Sequence, residues 1–158
     1  MPTITPNLWF DDDAVEAAEF YVSLFPNSMV GRTSRYTEAG PGDPGTVVTV
    51  EFELDGQPFC GINGGPAFTF DEAVSFAIEC VDQAELDRYW DALVADGGEE
   101  SQCGWLKDRF GLSWQVVPAG LDELLADPDP ARAARATTAM LGMKRLDIAA
   151  IQAAADAG

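Results

Sequence analysis

One pattern occurs twice in this chain, and the repetition constrains the fold more than any other feature. Ile4–Phe25, ITPNLWFDDDAVEAAEFYVSLF, and Val74–Val94, VSFAIECVDQAELDRYWDALV, each read as a short strand, an acidic turn and an amphipathic helix. A step of 69 positions carries Asp13 to Asp82, Glu16 to Glu85, Phe20 and Tyr21 to Tyr89 and Trp90, and Leu24 to Leu93. Each helix opens with Asp-x-x-Glu, a variant of the capping box in which the first carboxylate meets free backbone N–H groups and the second reaches back. Each then carries an apolar stripe at helical spacing: Ala14, Ala17, Tyr21 and Leu24 in the first, Leu86, Tyr89, Trp90 and Leu93 in the second. Two copies make a duplicated half-domain rather than a solenoid.

The rest of the chain fits the repeat. Thr3–Phe10 alternates, with Ile4, Pro6, Leu8 and Phe10 on one face and Thr5, Asn7 and Trp9 on the other. Ser28–Tyr36 reads as a polar edge strand, and Thr37–Gly45, TEAGPGDPG, as a mobile loop. Thr46–Leu54 alternates again, and Asp55-Gly56 turns the chain back through Gln57–Asn63. After Gly64-Gly65-Pro66 the order recurs: strand Ser75–Cys80, helix Asp82–Asp96, a stop at Gly97-Gly98, a weak strand at Glu99–Gln102, then Cys103–Lys107 and Leu112–Pro118. Gly56-x-x-Phe59-Cys60 parallels Gly111-x-x-Trp114-Gln115. The expected class is α+β, with paired βαβββ modules at 1–63 and 73–118, a joint at 64–72, and a helical tail over 119–158, together one domain. Arg132, Arg135, Lys144 and Arg145 in the tail are expected to pair with acids of the body or of a second chain.

Composition removes several functions. The formal net charge is −18, from 27 acids against 9 bases, so phosphate backbones and anionic lipid surfaces are repelled. No apolar segment is long enough to span a bilayer and no leader pattern is present, so a cytoplasmic protein is expected. Cys60, Cys80 and Cys103 match neither a zinc site nor a redox pair. The chain contains no histidine.

Four segments taken together, ITPNLWFDDDAVEAAEFYVSLFPNS, NGGPAFTFDEAVSF, CGWLKDRFGLSWQVVP and DPDPARAARATTAMLGMKRLDIAAI, resemble the vicinal-oxygen-chelate superfamily of glyoxalase I, bleomycin-resistance proteins and extradiol dioxygenases. Within it the chain resembles the demethylubiquinone-methyltransferase-like branch. The resemblance implies paired modules whose strands form a cupped mixed sheet around a small organic molecule, and a homodimer. Helices then cover Leu8, Phe10, Phe76, Ile78, Leu112, Trp114 and Val116, and the opposite faces line the cup. Metal-dependent members place four ligands in this cup, and here those slots fall on Thr5 or Asn7, Cys60, Ser75 and Gln115. One thiol, an amide and hydroxyl or amide groups do not replace the hydration shell of a divalent ion, so neither metal nor other cofactor is expected.

The cup face supplies the candidate site. Glu79, inward on a central strand, is the candidate catalytic base, with structural pairing as its bland alternative. Asn7, Trp9, Glu51, Cys60, Ser75, Trp105 and Gln115 are the candidate ligand-binding residues. Gln115 can both donate to and accept from a bound carbonyl or hydroxyl. Trp9 and Trp105 can stack on a planar ligand or simply pack. Cys60, with no imidazole to activate it, suits a small buried hydrophobe better than a nucleophile. Three functions compete: a metal-free acid/base enzyme, a sequestering protein without turnover, and a demethylubiquinone-type methyltransferase. The third lacks the Gly-rich strand-to-helix turn of a usual S-adenosylmethionine fold.

Overall fold

The computed structural model describes residues 1–158. The chain forms two compact units, Met1–Phe70 and Asp71–Gly158, which part inside the expected 64–72 joint.

The first unit contains β1 (Asn7–Phe10), α1 (Ala14–Leu24), β2 (Met29–Arg35), β3 (Val47–Leu54) and β4 (Gln57–Asn63). They build one four-stranded mixed sheet in the order β1-β4-β3-β2, with β1 parallel to β4 and the other pairs antiparallel. Both Asp55 and Gly56 have positive φ, 47° and 78°, as a tight hairpin between right-twisted strands requires. Alternation decides the layers. Leu8, Phe10, Val50, Phe52, Leu54 and Phe59 are buried, as are Ala14, Ala17, Ala18 and Tyr21 of α1. Tyr21 packs against Phe52, which stacks on Phe59 at 5.3 Å between ring centroids. The first strand is shorter than the alternation suggested, beginning at Asn7. The Thr37–Gly45 loop wraps around one ring. Tyr36 Oη donates to Asn63 O at 2.5 Å, its backbone pairs with Gly45 and Thr46, and a Cβ at Gly42 would stand 2.5 Å from its ring.

The second unit repeats the plan: β5 (Ser75–Cys80), α2 (Gln83–Val94), β6 (Glu99–Glu100), β7 (Trp105–Lys107) and β8 (Ser113–Pro118), in the order β5-β8-β7-β6 with β5 parallel to β8. Three further helices follow, α3 (Leu121–Leu125), α4 (Pro130–Leu141) and α5 (Ile148–Asp156). The strands repeat at a different step from the helices. Asn7 pairs with Cys60 and Ala77 with Gln115, so 70 positions relate the first strands and 55 the last. The link from strand to helix is therefore one residue shorter in the second copy, because Asp13 and Asp82 remain 69 apart.

The two helix starts are capped differently. At α2 the Asp82 carboxylate accepts from Glu85 N at 2.8 Å, and Glu85 Oε2 accepts from Val81 N at 2.8 Å, a capping box displaced by one residue. At α1 the Asp13 half of the expected box is missing: Asp13 caps nothing with its side chain, and Ala14 N donates instead to Asn63 Oδ1 at 2.8 Å. Asp82 is extended (φ −151°, ψ 175°), which aims its carboxylate at the helix, whereas Asp13 is not (φ −106°, ψ 21°). Burial raises the Asp13 carboxyl above its ordinary value, and the charges of Asp12, Glu16 and Asp11 add to that.

The tail packs within its own unit. Cys103 N and Gly104 N donate to Met143 O and Lys144 O, both at 2.8 Å. Gln83 of α2 donates to Leu146 O at 3.0 Å and accepts from Ile148 N at 2.9 Å. Arg145 pairs with the body as expected, meeting Asp87 and Asp91 of α2, whereas Arg132 pairs inside the tail with Asp127 and Asp156 and Arg135 donates to the tail carbonyls of Ala154 and Ala155. No helix is long and apolar enough to cross a membrane.

Candidate functional site

Each sheet buries one face beneath its helix and leaves the other to carry polar side chains. On the helix-free face of the first sheet, Asn7, Cys60 and Glu51 lie side by side on β1, β4 and β3, and Trp9, Ile62 and Thr49 form the next row. An open cleft of about 380 Å³ on this unit is lined by Thr5, Met29, Glu51, Phe59 and Cys60 among others. Burial, then the neighbouring Glu51 charge, pushes the Cys60 thiol up, so it stays protonated at neutral pH. Glu51 is tied to Arg32 at 2.8 Å, and Asn7 Nδ2 donates to Thr5 O at 2.9 Å. The Trp9 indole is locked. Its Nε1 donates to Gly65 O at 2.9 Å, its ring meets Phe68 edge-on at 5.0 Å, and any Cβ at Gly64 would lie 2.2 Å from it. Gly64 is thus a close-approach glycine that lets the joint close over the ring.

The second sheet carries equivalent rows. Ala77, Gln115 and Trp105 lie abreast, Ser75, Ser113 and Lys107 form the row on one side, and Glu79 and Val117 the row on the other. Gln115 Nε2 donates to Ser75 Oγ at 2.9 Å across adjoining rows. By the strand steps, Cys60 corresponds to Gln115, Glu51 to Trp105, Trp9 to Glu79 and Thr5 to Ser75. Asn7 corresponds to Ala77, so of the two candidates for the first slot it is Thr5 that matches Ser75. Asn7, Trp9, Glu51 and Cys60 therefore form one patch, and Ser75, Trp105 and Gln115, with Glu79 a row further along, form its counterpart. Glu79 lies on β5, an edge strand of its sheet rather than the central strand expected, because β8 pairs it on one side only; its side chain is exposed and has no ion-pair or hydrogen-bond partner within the chain.

These donors do not suit a divalent ion. The serine hydroxyl and the glutamine amide are bonded to each other, and the Glu51 carboxylate is engaged by an arginine. No group of three or more His, Cys, Asp or Glu side chains is placed to hold a metal.

The partners of two residues that hold these faces in place escaped the sequence reading. Asp108 is buried, yet its carboxylate accepts from Phe110 N at 2.9 Å, Leu112 N at 3.1 Å and Trp114 Nε1 at 2.9 Å, pinning the turn into β8. The available signal was an Asp three residues before the Gly of a turn, an Asx-type arrangement. Asn63 caps α1 with Oδ1 while Nδ2 donates to Val47 O at 3.2 Å. No local signal in the sequence marks its partners.

The model of the 3-demethylubiquinone-9 3-methyltransferase family matches residues 2–117, ending before the helical tail. Among solved structures, a putative 3-demethylubiquinone-9 3-methyltransferase, PhnB protein, from Bacillus cereus is 38% identical with a TM-score of 0.67, covering 75% of this chain and 100% of its own. Protein PA1353 from Pseudomonas aeruginosa is 20% identical with a TM-score of 0.61, over 75% of this chain and 98% of its own. The fosfomycin resistance protein FosX from Mesorhizobium loti, 13% identical with a TM-score of 0.55 over 80% of this chain and 98% of its own, shares the glyoxalase-like fold. No curated protein matches the chain. On the family match and the Bacillus cereus relative together, the chain belongs to the 3-demethylubiquinone-9 3-methyltransferase family.

Proposed function

We propose that this chain binds a small organic molecule on its helix-free sheet faces through side-chain hydrogen bonds and ring contacts, without a metal. The observation that carries the reading is the pair of equivalent rows, Cys60 with Glu51 and Gln115 with Trp105. Taken unit by unit, the first row offers a weakly polar thiol and a carboxylate and the second an amide and an indole, and neither is a chelating set of imidazoles or free carboxylates. Gln115 and Ser75 supply a donor and acceptors that a carbonyl or hydroxyl can use.

Glu79 is the proposed proton-transfer group. Glu51 on the other face is held by Arg32, whereas Glu79 has no partner in the chain and can take or give a proton to a bound molecule. A cytoplasmic homodimer is the proposed setting, which sedimentation of the purified chain tests. All three cysteines are free thiols, as a reducing compartment maintains.

The test is to screen small carbonyl and hydroxyl compounds by thermal shift, then compare Gln115→Leu and Glu79→Gln. Loss of binding in the first, with lost turnover but retained binding in the second, supports an acid/base enzyme. Unchanged binding in Gln115→Leu overturns the site. Binding that depends on Gln115 with no turnover leaves a sequestering protein. A second reading, methyl transfer, is favoured by the family description. S-adenosylmethionine binding measured by calorimetry decides it, and no binding excludes that donor.

A further inference from the structure

The geometry points to a recess on the second unit, beside the Gln115–Trp105 row, that takes the hydroxyl head group of an organic ligand. This inference rests on the ligand-face reading above and narrows it to one chemistry. Ser113 is 1% exposed, and its Oγ is the one buried side-chain polar atom in the chain with no hydrogen-bond partner in the protein. A buried hydroxyl left unpaired costs free energy, and nearly all such groups have a partner. Ser113 lines a recess of about 110 Å³ together with Glu72, Glu99, Glu100, Trp105 and Lys107, enough for a polar head group and not for a whole ligand.

The charges of the lining select that head group. Three carboxylates against one ammonium repel a carboxylate or phosphate. Lys107 already fills the cation's role, because its Nζ meets Glu72 at 2.6 Å, and a ligand ammonium would compete with it. Glu100 Oε1 is engaged by Trp90 Nε1 at 2.8 Å. A neutral hydroxyl is compatible with all of these. It can donate to Ser113 Oγ and accept from a remaining Lys107 N–H, while Trp105, opposite Gln115, offers a ring for the body of the ligand. The row Ser75–Ser113–Lys107 adjoins Ala77–Gln115–Trp105, so head group and body fall on one continuous face.

Nitrogen-15 NMR titration of the full chain with phenol and with anisole, its methyl-capped analogue, tests the proposal. Phenol is expected to shift the Ser113 and Lys107 amides and the Trp105 indole saturably, with a Kd at least about tenfold below that of anisole, because anisole cannot donate to the buried Ser113 hydroxyl and leaves it unpaired. In Ser113→Ala that preference is expected to fall below about twofold. The unliganded variant should melt no lower than the parent, because an apolar group replaces an unpaired hydroxyl. A lowered melting temperature would mean that Ser113 is structural and would overturn the proposal. So would a phenol preference that survives Ser113→Ala. Equal shifts from both probes at Ser75, Gln115 and Trp105 would defeat the recess and leave the ligand face standing. Shifts at neither place would defeat the recess, with the Gln115→Leu comparison deciding the face.

Discussion

The two modules share a skeleton and differ in how they hold it. The first has long outer strands, β2 of 7 and β3 of 8 residues, and completes its sheet within Met1–Phe70. The second has outer strands of 2 and 3 residues, and carbonyls of the tail take up the Cys103 and Gly104 N–H groups beside them. The buried helix faces correspond, with Tyr21 and Trp90 both fully inside, whereas the helix-free faces carry different chemistry at equivalent positions. Duplication has kept what packs and varied what faces outward. Apolar packing tolerates few exchanges, while a half-exposed row can accept a thiol, an amide, a carboxylate or an indole.

The largest test of that contrast is at Asp108. Replacement by alanine strands two backbone N–H groups and an indole N–H in the interior, and is expected to cost about 3 kcal/mol or more in urea unfolding. Glu53, 55 positions earlier and exposed, should change stability by less than about 0.5 kcal/mol when replaced by alanine. Equal losses would break the claim that only the second module depends on this turn.

Gly104 comes next. Its φ is +84°, and a Cβ there would stand 3.0 Å from both Val116 O and Leu146 Cδ1, so Gly104→Ala should cost about 1–3 kcal/mol and loosen the tail, read as faster hydrogen exchange at Cys103 and Gly104. Gly45 has φ +87° with nothing within 4 Å, and its alanine variant should lose less.

The helix starts give a smaller and sharper contrast. Asp82→Ala should cost about 1 kcal/mol, as should Asn63→Ala in the first module, because each removes a cap. Asp13→Asn should instead stabilise at neutral pH. A carboxyl raised in the folded chain binds its proton more tightly there than when unfolded, so its contribution falls as pH rises from 3.8 through the folded value. The gain from Asp13→Asn should therefore vanish below about pH 3.8, and a gain that persisted in acid would contradict this assignment.

The smallest effect is kinetic. Burial pushes the Cys80 thiol to about 11, with the Glu85 charge adding to it, and burial also raises Cys60. Native-state alkylation should spare Cys80 and label Cys60 slowly at pH 7, faster as pH rises. Rapid labelling of Cys60 at neutral pH would reveal an activated thiol.

Much of the fold was legible because alternation and helical spacing are local. Leu8, Phe10, Ile78, Trp114 and Val116 are buried as their strand parity requires, and the helical stripe of α2 at Leu86, Tyr89, Trp90 and Leu93 is wholly inside. What was not legible depends on partners distant in sequence. The α1 cap comes from Asn63, 49 positions away, and the tail's carbonyls meet a loop 40 residues earlier. Asp13 looked like a cap because its spacing to Glu16 matched Asp82 and Glu85, but the longer link in the first copy turns its backbone away. The candidate residues were readable as a face by parity. Their pairing across the strands, Cys60 with Glu51 and Gln115 with Trp105, required the register.

The most direct measurement is elemental analysis of the purified chain after expression with added zinc, manganese, nickel and iron, repeated for Cys60→Ala and Gln115→Ala. Divalent metal far below one equivalent in all three is the predicted result. One equivalent of a divalent ion in the parent, lost in either variant, would show that these rows chelate and would contradict the metal-free site.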